Sequence, residues 1–141
     1  NSFSKDYIKN KLFENYGVKS KKFKLKKTKL NLKKFDDLKI NDDICFFKID
    51  VEGLDHLVIY GMKAYINKYF PVILVEYNHS NFEKIYEFLK KNYDCFFYDF
   101  LKNKLHKLNV SEIDKLKSGK IIENIFKKNS VNIFFKKKIN Y

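Results

Sequence analysis

Two short apolar runs constrain this chain more than anything else in it. Ile44-Cys45-Phe46-Phe47-Lys48-Ile49 and Val72-Ile73-Leu74-Val75 are apolar throughout except at Lys48, and each ends on a carboxylate, Asp50 and Glu76. A strand with one wet face alternates polar and apolar residues, whereas an unbroken run suits a parallel strand buried on both faces. Asn41-Asp42-Asp43 is a turn signal ahead of the first run, and Pro71 opens the second, where a strand tolerates proline. Between them Leu54, Leu57, Val58, Met62, Tyr65, Ile66 and Tyr69 recur at helical spacing as one stripe. Strand, helix, strand is α/β order. It places Asp50 and Glu76 at the carboxyl ends of neighbouring parallel strands, the edge at which open α/β sheets bind ligands.

The rest of the chain extends the same pattern. Tyr7, Ile8, Leu12 and Tyr16 predict a helix over residues 5–16 ending at Gly17, so residues 1–18 read as a helical segment and 19–141 as the main domain. Lys22 to Leu32 alternates as a bulged strand or two short ones, and Phe35-Asp36-Asp37-Leu38 reads as a short helical turn. Ser80 and Glu83 have capping-box spacing ahead of a helix with Phe82, Ile85, Tyr86 and Leu89 inward and a Glu87–Lys91 pair outward. Tyr93 to Phe97 predicts a strand, with Asn103 turning a hairpin toward Leu105 and Leu108. Ser111 and Asp114 repeat the cap spacing before a short helix stopping at Gly119. Val131 to Phe135 predicts an antiparallel closing strand.

Charge says less than its size promises. The 141 residues hold 30 Lys+Arg against 17 Asp+Glu, a net charge of +13, yet arginine is absent. Nine lysines without an acid fall between Lys19 and Lys34, and five more between Ile125 and Tyr141. Readers of nucleic-acid sequence depend on the planar fork of arginine, so the charge argues against nucleic acid as a partner; the alternative function is a non-catalytic basic module binding acidic partners or nucleic acid. The 15 Phe and 10 Tyr argue against disorder. No apolar run nears the ~20 residues of a membrane span. Cys45 and Cys95 sit in apolar runs and read as buried thiols of a cytoplasmic protein. His56 and His106 read as surface residues, and no His/Asp/Glu spacing resembles a metal site. A metal-dependent nuclease built on Asp50 and Glu76 lacks a following Glu-x-Lys. The chain opens Asn-Ser-Phe with no charged leader, which reads as a fragment without a signal peptide.

Lys48-Ile49-Asp50-Val51-Glu52-Gly53-Leu54-Asp55, followed by Leu57 to Met62, closely resembles the signature of FkbM-type methyltransferases. The turn Phe35-Asp36-Asp37-Leu38, the strand Pro71-Val72-Ile73-Leu74-Val75-Glu76 and the closing Asn132-Ile133-Phe134-Phe135 resemble further blocks of that family in the same order. The resemblance covers residues 28 to 138 and departs at Asp55, where the family prefers Glu. It implies the second half of a class I, Rossmann-like methyltransferase sheet, using S-adenosylmethionine to methylate oxygen on a small molecule or sugar. The cofactor-binding first strands and their Gly-rich turn are missing from this reading; Gly17, Gly53, Gly61 and Gly119 are scattered. Residues 1–141 alone are therefore expected to be inactive and to need an amino-terminal half.

Asp50 and Glu52, at a strand-to-helix turn, fit proton acceptance or positioning in methyl transfer; the alternative is that they favour the amide-rich start of the following helix. Asp55 suits that second role at least as well. Glu76, Asn78 and His79 fit substrate contact, His79 having an intrinsic pKa suited to acid–base work. Lys48 interrupts a strand read as buried and so calls for a carboxylate partner.

Overall fold

The computed structural model describes residues 28–99, 102–120 and 132–139. The chain divides into two units, Asn1–Leu32 and Lys33–Tyr141. Of the first, only residues 28–32 are described; they take no strand, and Leu30 and Leu32 are exposed. The helix expected over 5–16, and residues 22–27 of the bulged strand, lie outside the described residues.

The second unit is an open, mixed sheet of five strands with helices along the chain between them: β1 (Phe46–Ile49), α1 (Asp55–Tyr60), α2 (Lys63–Tyr69), β2 (Val72–Glu76), α3 (His79–Leu89), β3 (Tyr93–Asp99), β4 (Lys104–Lys107), α4 (Val110–Lys117) and β5 (Asn132–Lys137). Spatial order is β1-β2-β5-β3-β4. β1 runs parallel to β2, while β5 is antiparallel to both β2 and β3, and β3 is antiparallel to β4. The expected parallel pair and antiparallel closing strand are both present. The closing strand inserts between β2 and β3.

Register fixes which side chains make the core. Ile49, Val75, Ile133 and Phe97 form one cross-strand row, and Phe47, Ile73, Phe135 and Cys95 the next. All but Phe47 are buried, and Ile59, Met62, Ile66, Phe82, Ile85, Leu89 and Leu116 of the helical layer join the same cluster. Alternate residues face the other way: Lys48, Leu74, Phe134, Phe96 and Lys107 form a row whose three apolar members are half-buried between exposed lysines. Lys136 lays its ammonium 5.5 Å from the Phe96 ring, a long side chain covering apolar surface while keeping its charge wet.

Several expectations change here. β1, which its apolar run alone suggests is buried on both faces, is the edge of the sheet among the described residues, as expected of a chain lacking the family's first strand, with Phe46 45% exposed. Lys48 is accordingly not buried, and neither is Cys45; Cys95 is, and burial pushes its thiol pKa up. The single helical stripe breaks at Gly61–Met62 into α1 and α2, leaving Leu57 and Val58 exposed while Asp55 takes a buried place. Ser80 and Ser111 lie inside helices. The caps are Asn78, whose side chain accepts from Ser80 N, and Asn109, which forms a reciprocal capping box with Glu112. Glu87 pairs not with Lys91 but with Lys90 and, from α4, Lys117 at 2.6 Å.

The break between α1 and α2 has a definite cause. The start of α2 has no side-chain cap of its own. Instead Asp36, on the 3-10 turn Phe35–Leu38, accepts from Ala64 N at 2.8 Å and Tyr65 N at 3.0 Å, while its own N–H donates to Gly61 O. Phe35 packs edge-on against Phe47 and Tyr65, so an apolar triad seats the turn that delivers this carboxylate. Replacing a capping carboxylate typically costs about 1–2 kcal/mol. Asp36→Ala is therefore expected to lower unfolding stability by about that amount in a urea titration, with Asp37→Ala, whose side chain is exposed, changing it far less.

Candidate functional site at the carboxyl rim

Parallel pairing of Ile49 with Val75 leaves Asp50 and Glu76 as the next residues at the same end of adjacent strands. Asp50 follows β1 and is exposed; its carboxylate meets Lys48 Nζ at 3.0 Å. Both partners are solvated, so this ion pair orients Asp50 more than it stabilises the fold. Glu76 closes β2, half-buried, opposite Asn132 of β5.

Between Asp50 and α1 the chain makes a tight turn. Glu52 and Gly53 have φ of +48° and +87°, and Leu54 N donates to Val51 O at 3.3 Å. Positive φ at both central residues defines the mirror-image turn, for which glycine is the natural second residue. Glu52 holds the first position as a non-glycine in left-handed backbone, which lifts its exposed side chain at the rim. Asp55, 3% exposed at the first residue of α1, accepts from Val51 N at 3.3 Å and so ties the turn to the helix it precedes. Its role is the structural one.

The loop after β2 is anchored from another direction. Asn78 is occupied as the cap of α3, accepting from Ser80 N at 3.0 Å and from Ser80 Oγ at 2.6 Å. The exposed His79 ring lies over Gly119, the left-handed residue just past α4; a Cβ there would sit 2.9 Å from His79 Nδ1. Tyr77 OH donates to Leu116 O at 2.8 Å, making a second tie between this loop and the end of α4. Strand register thus brings Asp50 and Glu76 to one rim, Glu52 sits on the turn just after Asp50, and Asn78 and His79 are engaged with helix ends.

Three residues stand differently from their sequence reading. Asn81, 3% exposed on α3, falls four residues before Ile85 and eight before Leu89, a position on the buried stripe. A polar residue in register with an apolar stripe was the available signal. His56 of α1 is half-buried rather than a surface residue, its ring edge-on to Tyr60, and its Nδ1 is enclosed. His106 is likewise half-buried, 3.1 Å from Glu112. Burial lowers the His56 pKa below its ordinary 6.5 and Lys84 adds to this, while Asn81 and Asp55 partly oppose both.

Clefts lie elsewhere. One of about 190 Å³ is lined by Phe35, Asp36, Lys39, Tyr65, Lys68 and Tyr69, and a shallower one runs along α4; neither includes Asp50, Glu52 or Glu76. Among the described residues no three His, Cys, Asp or Glu side chains converge as metal ligands, and no helix is long and apolar enough to cross a membrane.

An open α/β sheet presenting carboxylates where parallel strands end is the layout of a protein that binds its ligand at that rim. The family described as the methyltransferase FkbM domain matches residues 3–97, more than half of the chain, and the chain belongs to it. No curated protein and no solved structure matches. Methyltransferases of this kind imply S-adenosylmethionine. Among the described residues Gly53 is not joined on the rim by a second glycine, and neither of the two clefts above includes it, so these residues do not make a glycine-rich cradle for that cofactor.

A lowered histidine pKa means that the unfolded chain binds the proton more tightly than the folded one. The neutral imidazole's contribution is intact above pH 6.5 and is lost as pH falls through 6.5 toward the lower folded value. The stability difference between the natural chain and His56→Gln is therefore expected to shift against the natural chain between pH 7.5 and 5.5 in parallel urea titrations. A pH-independent difference would contradict the assignment.

Proposed function

We propose that this chain is the carboxyl-terminal part of a class I methyltransferase that moves a methyl group from S-adenosylmethionine to a hydroxyl of a small molecule or sugar. The observation that supports it most is the β1–β2 register, which brings Asp50 and Glu76 to one rim beside Glu52. Methyl transfer to oxygen is an in-line displacement, so its rate depends on alignment of the acceptor and on removal of its proton as the bond forms. Asp50, oriented by Lys48, and Glu52, raised on the left-handed turn, are the groups proposed for alignment and proton acceptance. Glu76, Asn78 and His79 are the groups proposed to border the acceptor.

The edge position of β1 supports the accompanying proposal that an amino-terminal half supplies the neighbouring strand and the cofactor's cradle. Phe46 at 45% exposure, and the exposed Leu57 and Val58 of α1, are apolar surface such a half would cover.

The test has two arms. Calorimetry on residues 1–141 is expected to detect no micromolar binding of S-adenosylmethionine, and such binding would overturn the proposed division of labour. In a chain extended by an upstream strand–Gly-rich turn–helix, Asp50→Asn is expected to reduce turnover at least tenfold while cofactor affinity changes by less than about threefold. Full turnover in that variant would remove Asp50 from the chemistry.

A further inference from the structure

The cleft of about 190 Å³ lies at the opposite end of the sheet from Asp50 and Glu76, between the segment that leads into β1 and the helix α2 that leads into β2. Both walls are fixed by hydrogen bonds. Tyr69 OH donates to Asn41 O at 3.1 Å, while Tyr65 OH donates to Asp42 O and accepts from Ile44 N at 2.6 Å. Both oxygens of Asp36 are taken by the Ala64 and Tyr65 amides of α2. Ala64 contributes the smallest side chain of the lining, which leaves the space open. None of these bonds uses the side chain of Lys39 or Lys68, which line the cleft from its two walls.

Lys68 holds its ammonium 4.5 Å from the centroid of the Tyr69 ring. Lys39 follows the 3-10 turn in left-handed backbone, with φ of 53° and ψ of 38°. That conformation disfavours lysine relative to glycine or asparagine, so its presence there points to use of the side chain. Lys48, Lys90, Lys102, Lys107 and Lys117 each pair with a carboxylate, whereas among the described residues Lys39 and Lys68 do not. Two ammoniums therefore face the cleft against the single carboxylate of Asp36, which is turned to the α2 amides, and the balance favours an anion. Size restricts which one, because pockets for drug-sized molecules begin at roughly 300 Å³. A small carboxylate brings one charge, but a phosphate monoester brings nearly two at neutral pH and three acceptor oxygens, enough to bridge both lysines.

We propose that this cleft binds a small phosphate monoester, with the phosphate bridging Lys39 and Lys68 and the carbons against the Tyr69 side of the wall. The site shares no residue with Asp50, Glu52 or Glu76 and does not depend on the methyl-transfer reading. Its two lysines belong to separate stretches of chain. A ligand held by both clasps the segment after the Phe35–Leu38 turn to α2, the helix whose start Asp36 caps. Occupancy therefore stabilises the folded chain by mass action.

The experiment is calorimetry on the 141-residue chain with glycerol 3-phosphate as probe and glycerol as the phosphate-free control. Glycerol 3-phosphate is expected to bind saturably with Kd below about 10 mM and to raise the melting temperature, and glycerol to do neither. Lys68→Met keeps the stem and deletes the charge, and is expected to weaken binding about tenfold or more. Lys91→Met, at an exposed lysine outside the cleft, is expected to leave binding unchanged. Lys39→Asn is expected to weaken binding as Lys68→Met does without lowering the melting temperature of the free chain, since asparagine suits left-handed backbone. Ala64→Leu keeps both lysines and fills the cleft, and is expected to abolish binding. Absence of saturation by glycerol 3-phosphate would overturn the proposal. Undiminished binding in Ala64→Leu would overturn it too, by assigning the affinity to the lysine-rich surface at large. Should Ala64→Leu fail to fold, equal losses in Lys68→Met and Lys91→Met are the overturning result. Inorganic phosphate is expected to bind more weakly than the ester, and equal affinity would replace the ester with free phosphate.

Discussion

Because β1 and β2 run in the same direction, the chain must travel from one end of the sheet to the other between Ile49 and Val72, and it does so through α1 and α2. That return path generates much of what matters in the molecule. It forces a sharp exit after Asp50, met by the left-handed Glu52–Gly53 pair. It demands that α1 start at once, which Asp55 secures by holding Val51 N. A second helix must then begin at a new angle, and Asp36 reaches across from another segment to cap it. Asp55 is thus committed to the turn and Asp36 to α2, while Asp50, paired with Lys48, follows β1 at the rim.

Much of this was legible because hydrophobic runs and capping residues are local signals. Both parallel strands, the hairpin around Asn103, the closing strand and the ends of α3 and α4 could be read to within a few residues. What failed depended on neighbours distant in sequence. The apolar run at Ile44–Ile49 looked doubly buried, but its edge position follows from sheet order, which periodicity does not encode. The stripe from Leu54 to Tyr69 looked continuous because Met62, Tyr65 and Ile66 are buried on it; the break at Gly61 depends on Asp36, a carboxylate 28 residues in sequence from the Ala64 amide it caps. Ser80 was read as the cap because Glu83 follows at capping-box spacing, although Asn78 had the prior claim.

The site divides along the same line. Strand register alone brings Asp50 and Glu76 together, so their juxtaposition could be foreseen. The engagement of His79 with Gly119 and of Tyr77 with Leu116 could not, since both reach a helix more than thirty residues further on. Asp55, a polar residue buried at the start of α1, secures the rim's turn by holding Val51 N.

The insertion of β5 between β2 and β3 has a consequence for how such a chain is made. More than fifty residues separate Glu76 from its partner Asn132. At ribosomal speeds of about 5–20 residues per second, β2 leaves the exit tunnel roughly 3–10 s before the strand that will cover its flank. Throughout that interval a nascent apolar border lies open to other polypeptides. The chain is thus most open to misassociation while it is being made, before β5 takes its place against β2.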